Sequence, residues 1–348
     1  MRAWQYTNPG GDIAASLTLR PSAPRPPAPL AADRLLVRVT HMSPNPADYK
    51  IAEMGRLASL FVMRSLAAPS PGMDYAGIVE EVGSGVNSSS SSSGAKYEPG
   101  DAVFGSVIAT PFGSLGEYVQ PSPSSCVPIP PSVSPADAST LGTAAGAAYE
   151  AIRPYVRPGR GDEVFVNGGS GGVGTYAIQI AARALGCVVT ASCSARNADL
   201  CASLGASTVL DYAATDVCAA LRARGRVFRL VVDNVGGSPA DLYKAADDYL
   251  VPEGVFVQVG GEFGVSGLRT VASRALRPSV LGGGKRTWRF LVMRQRHDDL
   301  AQLARWMQEG KIRAVIDGDV FPFEEAPKAF EKLKTGRTRG KLVVRVSD

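Results

Sequence analysis

Residues 168–174, GGSGGVG, put five glycines among seven positions. They follow the apolar run EVFVN at 163–167 and precede an apolar pattern at helical spacing that begins at Thr175. Gly169, Gly171 and Gly174 give G-x-G-x-x-G at this strand-to-helix turn, with Ser170, Gly172 and Val173 completing the loop. Where side chains are missing, backbone N–H groups and the start of the helix can approach a pyrophosphate. Glycine-rich loops that only bend are common, so context decides, and here a strand precedes, a helix follows and further such units come after. Strand patterns at 188–191, 208–212, 228–233 and 254–260 alternate with helix patterns ending near 204 and spanning 216–224 and 239–249. Strands alternating with helices predict an α/β chain built on a doubly wound parallel sheet.

The end of the second strand sets the choice of dinucleotide. Sites selective for NAD carry an acidic residue about 20 positions after the first glycine, bound to a ribose hydroxyl. Here that stretch reads VTAS at 189–192, and no Asp or Glu occurs before Asp199. Ser192, Ser194, Arg196 and Asn197 stand there instead. Hydroxyl donors and a guanidinium suit a 2′-phosphate, so the expected cofactor is NADPH.

Bulk properties exclude several classes. The net charge of +5 is spread without a dense Lys/Arg tract, so neither nucleic acid nor an anionic membrane is an expected partner. No run approaches the ~18 consecutive apolar residues of a membrane span, and MRAWQY is not a signal peptide. Five cysteines without paired metal spacing read as free thiols, and the expected location is cytoplasmic.

The first 130 residues are rich in breakers. Alternating patterns at 34–41, 74–82 and 101–105 predict short strands in an antiparallel, barrel-like β domain. Five prolines within 21–29 predict an extended loop, and six serines at 88–93 a mobile surface loop. Helix is predicted at 136–155, 298–308 and 324–335, and a closing strand at 341–346 that returns to the first domain. The expected division is 1–130, 131–286 and 287–348, the last segment completing a discontinuous first domain.

The segments PGMDYAGIVEEVGSGV, EPGDAVFG, GSLGEYVQ, LGTAAGAAYEAI, NGGSGGVGTYAIQIA, SLGASTVLDY and GRTRGKLVV, in this order, resemble the zinc-independent medium-chain dehydrogenase/reductases. The likeness is strongest to the quinone oxidoreductase and alkenal/enone reductase branch. It implies a Rossmann domain joined to a discontinuous GroES-like catalytic domain, and it allows a homodimer. It also implies that SPNPADYK at 43–50 lies beside the nicotinamide. There Asn45 would orient cofactor or substrate, Asp48 would order the segment, and Tyr49 or Lys50 would donate a hydrogen bond or proton. By the same resemblance Tyr212, Asn234, Val259, Gly260, Gly261, the loop Leu281, Gly282, Gly283, Gly284 and Lys285, and the terminal Gly340 and Lys341 join the cofactor contacts. One departure is Ala147, where the family's L-T-A-Y motif has a threonine.

Zinc is argued against by ligand count as well. A catalytic zinc needs three or four converging donors, and the chain has two histidines, His41 and His297. Met73 and Asp74 stand where zinc-dependent relatives have His-Glu. The expected activity is hydride transfer from NADPH to the activated C=C of an α,β-unsaturated carbonyl, or to a quinone. Two alternatives share the fold: a trans-acting enoyl reductase of polyketide-type biosynthesis, and a non-redox cyclase or binding protein that keeps NADPH as structure.

Overall fold

The computed structural model describes residues 1–6, 11–53, 70–88, 95–107, 112–236, 242–261 and 285–348. They pack as two units, one of Met1–Gly146 with Arg294–Asp348, the other of Ala147–Met293.

In the second unit Val164, Phe165 and Val166 are fully buried, as are Leu230, Val231 and Val232. Such runs belong to strands covered on both faces, the hallmark of a parallel sheet. Six strands among the described residues form it, in the order Thr208–Asp211, Val188–Cys193, Glu163–Asn167, Phe228–Asp233, Leu250–Gln258 and Thr287–Phe290. All five pairings are parallel, with Val166 opposite Ala191 and Asn167 opposite Asp233. One face is closed by aromatic packing: the Phe228 ring meets Phe165 and Tyr249 edge-on, each at 6.2 Å. Each such buried ring removes enough apolar surface from water to stabilise the fold by about 1.5–3 kcal/mol. Because the strands run the same way, all their carboxyl ends lie on one edge of the sheet.

In the first unit the central strand is Leu35–Ser43, antiparallel to Asp74–Val82 from Leu35 opposite Val82 to Ser43 opposite Asp74. Ala102–Ser106 and Cys126–Pro128 continue the sheet on that side. On the other side Val344–Arg345 pairs with Met42 and His41, and Phe321–Pro322 pairs with Val344–Arg345. Tyr118–Val119 also pairs with the central strand. The C-terminal segment thus completes the sheet begun near the N-terminus, which makes this domain discontinuous.

Three expectations change in detail. The helix expected at 136–155 is divided into Pro135–Ala138, a π-helical turn Leu141–Ala145 and Gly146–Ile152. Residues 131–146 pack with the first unit rather than the second: a Cβ on Gly142 would lie 2.5 Å from Asp74 Oδ1 and 2.8 Å from the Gly105 carbonyl oxygen. The closing strand is two residues long, with Lys341 bridged separately to Ile316. Residues 89–94 of the serine-run loop, the start of the 239–249 helix, and the expected cofactor residues Leu281, Gly282 and Gly283 with Gly284 lie outside the described residues.

Candidate active site

The loop between Glu163–Asn167 and the helix Gly172–Gln179 is built from glycines with different duties. A Cβ at Gly174 would come within 2.1 Å of the Gly168 carbonyl oxygen and 2.8 Å of the Gly169 backbone. A Cβ at Gly169 would meet Ala191 Cβ and Ile178 Cδ1 at 3.0 Å. Gly171 differs, because its nearest neighbour would be 3.8 Å away. Packing therefore demands glycine at 174 and crowds any larger residue at 169, while at 171 the bare backbone faces open space at the helix start. That open position, at the positive end of the helix and before its first N–H groups, fits a pyrophosphate.

Beneath the loop runs a buried chain of hydrogen bonds across three strand ends. Ser192 Oγ donates to Asn167 Oδ1 at 2.6 Å and accepts from Gly168 N at 3.1 Å. Asn167 Nδ2 donates to Asp233 Oδ1 at 2.8 Å, which also accepts from Val235 N and Gly236 N. Ser192 is fully buried, and its one hydroxyl proton is spent on Asn167. Its duty is to hold the loop, so the expected contact from Ser192 to a 2′-phosphate gives way to a structural role.

The other expected cofactor residues follow the carboxyl ends of the same strands. Asn197 Nδ2 ties Ser170 Oγ (3.0 Å) to Ser194 Oγ (3.3 Å), linking the first two turns. Arg196 is exposed and makes no ion pair among the described residues. Tyr212 is 54% exposed, although its backbone N–H is anchored to the Cys193 carbonyl. Asn234 Nδ2 donates to the Asn167 carbonyl, and Val259 N and Gly260 N donate to that of Asp233. Gly261 is half-buried at the end of the same turn.

The first unit holds a second constellation, buried and charged. Lys341 Nζ donates to Asn45 Oδ1 at 2.5 Å and to the Pro44 carbonyl at 3.2 Å, and lies 3.6 Å from Asp74 Oδ2. Asn45 Nδ2 donates to Asp74 Oδ2 at 2.8 Å and to the Ser43 carbonyl at 3.2 Å. Thr143 Oγ1 donates to Asp74 Oδ1 at 2.6 Å and stands 3.3 Å from Ser106 Oγ. Asp48 Oδ2 accepts from Asn45 N at 2.7 Å, while its Oδ1 is buried without a partner among the described residues. Burial, aided by the charge of Asp74, pushes the Asp48 carboxyl up to about 7 against the Asn45 N–H and the Lys341 ammonium. Burial also lowers the Lys341 ammonium, opposed by Asp74 and Asp48.

This cluster reassigns two expected roles. Both N–H groups of Asn45 are committed inside the protein, so Asn45 has none left to orient a cofactor or substrate. Lys341 was expected among cofactor contacts, and its ammonium is instead locked onto the turn at 44–45. Asp48 closes the turn from Asn45, its carboxylate accepting from Asn45 N and its own N–H donating to the Asn45 carbonyl. Tyr49 is half-buried against the core of this unit, with Lys334 Nζ 5.8 Å above its ring, and Lys50 is half-buried one position later on the helix Pro46–Glu53. Thr143 and Ser106 were not singled out in the sequence, and a threonine inside LGTAA carries no signal for a carboxylate 69 residues away. Ala147 is buried and carries no hydroxyl where the resemblance expects one.

Among the described residues no group of three or more His, Cys, Asp and Glu side chains could hold a metal ion. No described helix is long and apolar enough to cross a membrane.

Comparison with known proteins agrees with both halves. Residues 31–131 match the family model of the alcohol dehydrogenase GroES-like domain, and residues 204–344 that of the zinc-binding dehydrogenases. The chain is 42% identical to trans-enoyl reductase pgmF of Aspergillus terreus, covering 100% of this chain and 97% of that one. It is 28% identical to a chloroplastic quinone-oxidoreductase homolog of Spinacia oleracea, over 99% and 98% of the two chains. Among solved structures, the quinone oxidoreductase from Coxiella burnetii superposes with a TM-score of 0.81 at 28% identity, covering 100% of this chain and 99% of that one.

Proposed function

Since the chain belongs to the medium-chain dehydrogenase/reductases, in their quinone oxidoreductase and enoyl reductase branch, we propose that it reduces the activated C=C of an α,β-unsaturated carbonyl, or a quinone, with NADPH. It is an oxidoreductase of the quinone/enone reductase type, and it uses a nicotinamide cofactor. The observation that carries the cofactor reading is the open backbone at Gly171, at a helix start, in a fold whose strand ends bind dinucleotides.

When bound, NADPH supplies the hydride. The backbone N–H groups at the helix start, beyond Gly171, would hold the pyrophosphate, since Gly169 N and Gly171 N already donate to the Ser192 and Gly168 carbonyls. Arg196 with Ser194 would take the 2′-phosphate through charge-assisted bonds that NADH lacks. Tyr212, exposed on the neighbouring strand end, would stand near the adenosine phosphate. A cation or hydrogen-bond donor beside the carbonyl oxygen would meet the charge that builds on it. Lys50 is that cation and Tyr49 the adjacent donor, and their stabilisation counts most where water is excluded. Free thiols at all five cysteines suit a reducing compartment such as the cytoplasm. A homodimer is carried by the resemblance alone.

A second reading narrows the substrate. The relative that matches at 42% end to end is named a trans-enoyl reductase, which favours a carrier-bound enoyl thioester over a free enone. Following NADPH oxidation with a quinone, a simple enone and an enoyl thioester tests both readings. Turnover of one of them with one NADPH per product supports the proposal. Tight NADPH binding without oxidation by any of the three points to the non-redox alternative.

A further inference from the structure

Lys341 comes from the far end of the chain to a turn at residue 45 and is 4% exposed. A buried ammonium is costly unless it is paired and hydrogen-bonded, so its place calls for a reason. Its partners supply one. The Asn45 amide has its carbonyl oxygen on Lys341 Nζ and its N–H groups on Asp74 Oδ2 and the Ser43 carbonyl. Turning that amide over would set N–H groups against an ammonium and a carbonyl oxygen against a carboxylate. The cation and the anion together therefore allow one rotation only.

The same asparagine builds the turn that follows. Its backbone N–H donates to Asp48 Oδ2 at 2.7 Å, and its carbonyl accepts from Asp48 N at 3.0 Å. Asp48 lies in the first turn of the helix Pro46–Glu53, whose next two residues are Tyr49 and Lys50. Asp74 is itself held by Thr143 on its other oxygen, so the anchor does not swing.

We infer that Lys341 and Asp74 are positioning residues for the reduction: by fixing the Asn45 amide they fix the 45–48 turn, and with it the place of Tyr49 and Lys50. The inference rests on the role given to Tyr49 and Lys50 above. Neither Lys341 nor Asp74 needs to touch the substrate.

The test uses the full chain and two variants. Lys341→Met alone strands a buried carboxylate and risks unfolding. The double variant Lys341→Met with Asp74→Asn removes both charges, leaves a neutral acceptor for Asn45 Nδ2, and keeps the question answerable. Hydrogen exchange of the 43–50 amides is read beside kcat, KM and the NADPH dissociation constant. In the folded double variant, exchange at 45–50 should quicken by about tenfold. At the same time kcat should fall about 10- to 100-fold, the cost of a small misplacement, with NADPH affinity held within about twofold. A folded double variant with the parent protein's kcat and exchange protection overturns the inference. If the parent protein oxidises no NADPH with any acceptor, the functional reading fails, and the exchange measurement still decides whether the pair positions the turn.

Discussion

Gly171 and Gly174 offer a paired perturbation in which stability and affinity should separate. Gly171 has φ −81° and ψ 178°, extended backbone that alanine adopts without strain, and 3.8 Å of clearance around an added Cβ. Gly171→Ala should therefore leave folding unchanged, or raise it by about 0.4–1 kcal/mol by restricting the unfolded chain. Its methyl would occupy the space through which a pyrophosphate reaches the backbone. Losing one charged hydrogen bond there, about 1.5–3 kcal/mol, should raise the NADPH dissociation constant about 10- to 150-fold. Gly174→Ala is the converse. Its Cβ would fall 2.1 Å from the Gly168 carbonyl oxygen, a backbone atom that cannot rotate away. Overpacking of that kind costs about 1–3 kcal/mol, a fall in Tm of about 2–12 °C for a unit of this size. Calorimetry and fluorescence titration on both variants decide the matter. A Gly171→Ala protein that binds NADPH within about twofold of the parent, at unchanged Tm, refutes the assignment of this loop to the pyrophosphate.

Arg196→Ala should weaken NADPH at least about tenfold and leave NADH nearly unchanged, since only NADPH offers the 2′-phosphate; equal affinities in the parent protein would rule the reading out by titration. The Asp48 carboxyl, pushed up to about 7 by burial, keeps its proton in the folded chain between about pH 4 and 7 while the unfolded chain has released it. More protons on the folded state mean that this group's contribution to stability falls as pH rises through that window. Asp48→Asn should therefore gain stability relative to the parent on going from about pH 4 to pH 7 in urea unfolding, and a constant difference would show that Asp48 does not titrate there. Elemental analysis of the purified protein should find no stoichiometric zinc, and chelation should spare activity; about one zinc per chain would overturn the ligand count.

The sheet of the second unit was legible because its strands are buried on both faces and so appear as unbroken apolar runs, Val164 to Val166 and Leu230 to Val232. Its sixth strand, Thr287–Phe290, was not, because TWRF is short, carries an arginine and is mostly exposed at the sheet edge. The glycine spacing announced the loop, yet it could not say which glycine serves packing and which leaves room, since that depends on atoms of neighbouring strands. The candidate cluster was half visible. Asn45 and Asp48 are close in sequence and share one turn, whereas Lys341 and Asp74 meet Asn45 across 296 and 29 positions. Ser192 was misjudged in role because sequence marks a hydroxyl at a strand end without telling whether it faces outward or into the loop.

In the proposed reaction a hydride passes from NADPH to a carbon–carbon double bond. Turnover with NADPH deuterated at C4 of the nicotinamide, on an enone and on an enoyl thioester, followed by locating the label in the product, tests it directly. Deuterium on the β-carbon, with a solvent proton on the α-carbon and the carbonyl intact, is the predicted result. Deuterium on the carbonyl carbon of an alcohol, or cofactor bound with no label transferred to either acceptor and no NADPH oxidised by a quinone, would contradict it.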